Sequence, residues 1–88
     1  MAVTLRVAEE ARGEAVRLER DRLLVCVPVP WAPGQPVRFT VSLPARELAL
    51  HGRCQRVRRL ADGRYEAWVR LVGLRRPERE ALGDALRV

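Results

Sequence analysis

The chain has 88 residues, 48% of them hydrophobic, with a formal net charge of +6; that size suits one compact core and leaves too little for two. No run approaches the roughly 20 apolar residues needed to span a bilayer, and residues 1–12 alternate charged with apolar side chains where a signal peptide would carry its hydrophobic stretch. These features predict a single domain over residues 1–88, placed in the cytoplasm and not inserted in a membrane.

All the positive charge resides in 17 arginines, since lysine is absent, as are asparagine and isoleucine. That usage points to a GC-rich bacterial genome, and codon bias is the plain source of the charge. The excess also admits nucleic acid, nucleotide phosphates and acidic protein faces as partners.

Val3, Leu5 and Val7 alternate with Thr4 and Arg6, the period-two pattern of a half-buried strand, and Gly13 is expected to break the run. From Glu14 to Arg20, Val16 and Leu18 alternate with charged residues; Asp21-Arg22 then turns into the apolar run Leu23–Val27, giving a hairpin. Pro28, Pro30, Pro33, Gly34 and Pro36 exclude a helix or a central strand, so this segment is read as a loop holding Trp31. Val37, Phe39, Val41 and Leu43 form the next strand, and Pro44-Ala45-Arg46 turns it into Leu48, Leu50, Gly52 and Cys54. The apolar phase shifts between Cys54 and Val57, which predicts a bulge. After the turn Ala61-Asp62-Gly63, Tyr65, Ala67, Val69 and Leu71 alternate again as far as Gly73. Pro77 suits the first helical position, Glu78 and Glu80 suit the positive end of the helix dipole, and Leu82, Ala85 and Leu86 share one face. The order predicts a mostly β fold: a six-stranded antiparallel barrel or curled sheet, strands within about residues 2–73 and a C-terminal helix over about 76–87.

Cys26 and Cys54 are too far apart in sequence for a close zinc-binding pair, and His51 is the only histidine. Buried, reduced thiols, no metal and no cofactor are expected.

The stretch Gly34 to Pro44, then Leu48-Ala-Leu-His-Gly-Arg-Cys54, then Tyr65-Glu-Ala-Trp-Val-Arg-Leu71 and a helix with Leu82 and Leu86, resembles the second half of a PilZ domain. The likeness covers roughly residues 23 to 86 and implies a bacterial signalling barrel. Members that bind cyclic di-GMP carry an Arg-x-x-x-Arg segment before the barrel and an Asp/Asn-x-Ser-x-x-Gly turn. The only arginine pair at that spacing is Arg75 and Arg79, at the opposite end of the chain, and the one serine, Ser42, lies in a strand. Where the turn belongs, the chain reads Arg17-Leu-Glu-Arg-Asp-Arg22, with Glu19 in place of the serine and Arg22 in place of the glycine. A carboxylate there would repel a phosphate. Trp68 stands where the family usually has glycine.

The resemblance therefore implies an adaptor, a non-enzymatic module contacting another protein of a motility or second-messenger pathway without the usual dinucleotide site. Trp31, in the exposed-looking loop, and Trp68, out of phase with the core residues, are the candidate partner anchors; Trp68 would otherwise be covered by the helix. An alternative keeps cyclic di-GMP on a rearranged set, Arg12, Arg17, Arg20 and Arg22. A second alternative is an OB-like nucleic-acid barrel using Arg53, Arg56, Arg58 and Arg59, with Arg64 and Arg70 across the last hairpin; with four aromatic residues, two in the core phase, it has little on which to stack bases. One histidine, one serine and no glycine-rich phosphate loop give no nucleophile–base pair, so no enzyme is expected.

Overall fold

Alternating apolar and polar residues put every second side chain on one face of a strand, and a sheet closed on itself turns that face into a core. A computed structural model describes residues 3–8, 11–44 and 46–86. Strands β1 (Val3–Ala8), β2 (Ala11–Glu19), β3 (Arg22–Val27), β4 (Pro36–Ser42), β5 (Glu47–Arg59) and β6 (Tyr65–Leu71) form a closed antiparallel barrel in the order β1-β2-β3-β6-β5-β4, followed by helix α1 (Arg76–Leu86). This is the expected six-stranded barrel with a C-terminal helix; the proposed strand start at Ala2, helix end at Arg87 and turn residue Ala45 lie outside the described residues.

Leu5, Ala15, Leu23, Val25, Val27, Val37, Phe39, Val41, Leu48, Leu50, Cys54, Ala67, Val69 and Leu71 fill the interior. Each large aliphatic among them contributes about 1.5–3 kcal/mol by leaving water. Helix α1 lies against β2 and buries Leu82 and Leu86 at the end of the barrel where β2 meets β3 and β4 meets β5. It begins at Arg76, one residue before the proline expected there. The Arg75 N–H donates to Glu78 Oε1 at 2.9 Å, so a carboxylate satisfies an amide the helix leaves open.

Four expectations are corrected. Gly13 does not break a strand: it lies inside β2 opposite Leu5, and a β-carbon there would collide with the Cys26 carbonyl and sit 3.1 Å from Val27 Cγ1. The inward phase of β2 belongs to Ala15, not Val16, because the register slips between Ala15 and Arg17 and leaves Val16 43% exposed. A bulge reverses the phase that alternation alone would give.

The β2–β3 turn comes one residue early, at Arg20-Asp21, since Arg22 already pairs with Glu19. Arg20 therefore adopts φ +57°, in the left-handed region that opposes a β-carbon. Replacing Arg20 with glycine should raise the unfolding free energy by about 0.5–1 kcal/mol; urea titration followed by circular dichroism checks this, and a loss of stability would contradict it.

The fourth correction is Trp31. It is only 6% exposed and stacks on Phe39 with ring centroids 6.2 Å apart. Backbone bonds pin its proline loop to β5: the Gly34 N–H donates to the Cys54 carbonyl at 2.6 Å, and the Cys54 N–H donates to the Gln35 carbonyl at 3.0 Å. Proline-rich sequence without internal pairing reads as exposed, yet this loop borrows the free edge of β5 beside the bulge between Cys54 and Arg56.

Candidate functional site

With the apolar residues of β2, β3, β5 and β6 turned inward, the opposite positions form one continuous outer wall. Ladder pairing sets Arg17 opposite Leu24, Leu24 opposite Trp68 and Trp68 opposite Arg56, a row crossing four strands. Beside it runs Arg22, Arg70 and Arg53, and on the other side Cys26, Glu66 and Arg58. Trp68 is half-buried at the centre, pointing away from the core as its phase predicts.

The guanidinium carbons of Arg17 and Arg22 stand 5.8 and 5.3 Å from the Trp68 ring centroid, within cation–π range. Both arginines also donate to the Glu19 carboxylate, Arg22 at 3.5 Å. Arg58 pairs with Glu66 at 2.9 Å, Arg70 with Asp21 at 3.4 Å, and Arg53 donates to the Gly34 carbonyl at 2.9 Å. Arg56 makes no ion pair among the described residues. These pairs are largely exposed, and such pairs contribute about 0–1 kcal/mol each, so an incoming ligand can exchange them. Next to the indole an open cleft of about 460 Å³ is lined by Arg56, Val57, Arg58, Glu66 and Trp68.

Of the four arginines proposed to clamp a dinucleotide, only Arg17 and Arg22 converge. Arg12 faces Arg6 on the β1 side, and the strand between it and Arg17 spans roughly 16 Å. Arg20 borders a separate cleft with Leu18, Arg79, Glu80 and Gly83. Arg64 leaves the β5 stripe as well, reaching Glu14 at 3.4 Å and the Cys26 carbonyl at 3.3 Å. Trp31 is withdrawn as a partner anchor by its burial in the core.

Both cysteines are free thiols. Burial raises the pKa of each, with Arg64 working against the rise at Cys26 and the Arg56 backbone against it at Cys54. Cys54 points into the barrel while His51, three positions earlier on the same strand, points out, so the two do not share a site. Among the described residues no group of three or more His, Cys, Asp or Glu side chains is placed to hold a metal ion, and no helix is long and apolar enough to cross a membrane.

The grouping of Arg17, Arg22 and Arg56 around Trp68 is absent from any local motif because it joins four strands through their register. The one sequence signal for it was the phase of Trp68. Comparison of the chain with protein-family models, with curated proteins and with solved structures gave no match in any of the three.

Proposed function

We propose that the chain is a non-enzymatic, PilZ-like regulatory module of a bacterial cytoplasm, and that its outer wall around Trp68 docks an acidic segment of a partner protein in a motility or second-messenger pathway. The carrying observation is the convergence of Arg17 and Arg22 on Trp68 beside an open cleft rimmed by Arg56 and Arg58. Tryptophan and arginine concentrate binding energy at interfaces, and a half-buried indole can seat a partner side chain while loosely paired guanidiniums exchange their carboxylates for the partner's.

A protein segment fits this wall better than a polynucleotide. Glu19, Asp21 and Glu66 interrupt the basic surface, where a backbone of phosphates favours an unbroken positive track, and one indole offers a single stacking platform. Cyclic di-GMP fits less well because Glu19 occupies the space between Arg17 and Arg22 that a phosphate would need, and Arg12 and Arg20 point elsewhere.

Isothermal titration with a synthetic Asp/Glu-rich peptide carrying one central leucine tests the reading. Saturable binding is expected, weakened about tenfold or more by Trp68→Ala, while cyclic di-GMP gives no saturable heat. Dinucleotide binding without peptide binding would instead favour the rearranged arginine site.

A further inference from the structure

The opposite wall of the barrel carries a second basic cluster with a different chemistry. Arg6 stands directly across from Arg12 on one side and from Thr40 on the other; Thr40 faces Ala49, and Arg38 faces His51. All point outward. Directly opposed residues lie about 5 Å apart at their β-carbons, and alternate residues on one face about 7 Å apart, so Arg6, Arg38, Thr40 and His51 ring one spot.

An open cleft of about 430 Å³ occupies that spot. The small side chain of Ala49 leaves its floor low. It also lies where the barrel seam opens: the β1–β4 ladder pairs Leu5 with Val41 and Arg6 with Thr40, and beyond them Val7 and Arg38 border the cleft.

The charge pattern is the unusual feature. On the Trp68 wall most arginines have carboxylate partners, whereas Arg6, Arg12 and Arg38 have none among the described residues. Like charges placed directly across a ladder oppose folding. A structural purpose would be served by a carboxylate in the row, and none of the described residues there supplies one. An anion would relieve this repulsion and would find two or three guanidinium forks, an imidazole and a hydroxyl donor within reach.

The geometry points to a binding site for a phosphate monoester at Arg6, Arg38, Thr40 and His51, with Arg12 at its rim. A dianionic terminal phosphate matches several guanidiniums better than the single charge of a diester. No aromatic face is open in the cleft, since Phe39 is 4% exposed and turned into the core, so the site reads a phosphate without reading a base. It stands independently of the docking wall.

The test is a two-dimensional NMR titration of the intact chain with glycerol 3-phosphate against chloride at matched ionic strength, with thermal midpoints recorded in parallel. The expected result is saturable shifts confined to residues around 6, 38, 40, 49 and 51, and a midpoint raised by the phosphate alone. Binding should weaken about tenfold or more in Arg6→Gln/Arg38→Gln, fall in Thr40→Val, and be untouched by Trp68→Ala. Phosphatidylcholine vesicles doped with phosphatidate distinguish a lipid headgroup from a soluble ester: stronger, Arg38-dependent binding to the vesicles would assign the same phosphate to a membrane surface. Shifts spread evenly over all arginines, shifts that persist in the double variant, or tighter binding of a ten-nucleotide single strand through the same residues would overturn the proposal.

Discussion

Replacing Gly52 with alanine is expected to cost about 3–5 kcal/mol, a large part of the 5–15 kcal/mol that holds a domain of this size folded. Gly52 lies between Val37 and Leu71 on the inner face of β5. A β-carbon there would press into the Arg70 carbonyl oxygen and stand 2.8 Å from its carbon and 3.0 Å from the Leu71 Cα. Those are backbone atoms of β6, held in the ladder, so nothing can swing aside and the two strands must part. Gly83 provides the contrast, because nothing lies within 4 Å of a β-carbon built on it. In the helix interior, Gly83→Ala should stabilise by up to about 1 kcal/mol. Urea unfolding of the two variants gives the comparison; similar stabilities for both would show that β5 and β6 do not approach as described.

Trp31→Ala should cost about 3–5 kcal/mol of folding stability, and Trp68→Ala no more than about 1 kcal/mol. The two tryptophans occupy opposite circumstances. Trp31 fills the core against Phe39, and its removal leaves a cavity roofed by a loop whose bonds to Cys54 hold it in place. Trp68 lies on the outer wall under the Arg17 and Arg22 guanidinium groups, so truncating it removes cation–π contact and some apolar cover but no core volume. Paired thermal melts decide the matter; equal losses would mean that Trp68 is a structural residue and would remove the basis for a docking role.

Alternation revealed the barrel because most strands obey it without interruption. In β3, β4 and β6 the central inward residues read from the sequence are buried, namely Leu23, Val25 and Val27, then Val37, Phe39 and Val41, then Ala67, Val69 and Leu71, while Leu43 and Tyr65 at the ends of the alternation are only partly buried. The bulge after Cys54 was legible for the same reason, as a break in phase. β2 misled because its inward positions are Gly13 and Ala15, too small to register as a hydrophobic stripe, and because the slip at Val16 moves a larger apolar residue outside. Trp31 misled because burial of a proline loop depends on an acceptor and a donor that β5 supplies from more than 15 residues away, and local composition carries no sign of them.

The candidate site was legible only in its members. The sequence marks Arg17, Arg22 and Trp68 individually, but nothing local says that β3 separates β2 from β6 in the closed sheet and so brings them together. The same limit hid the Arg6, Arg38 and His51 cluster entirely. Its residues are spread over three strands and none belongs to a recognisable motif.

The docking proposal is tested most directly on a protein with Trp31 changed to phenylalanine, in which Trp68 is the sole tryptophan and its emission reports on that wall alone. Titration with the acidic, leucine-bearing peptide should change the emission saturably, the affinity should fall as salt rises, and Arg17→Glu/Arg22→Glu should abolish the response. Peptide binding that leaves Trp68 emission unchanged, or a saturable response to cyclic di-GMP in place of the peptide, would contradict the account.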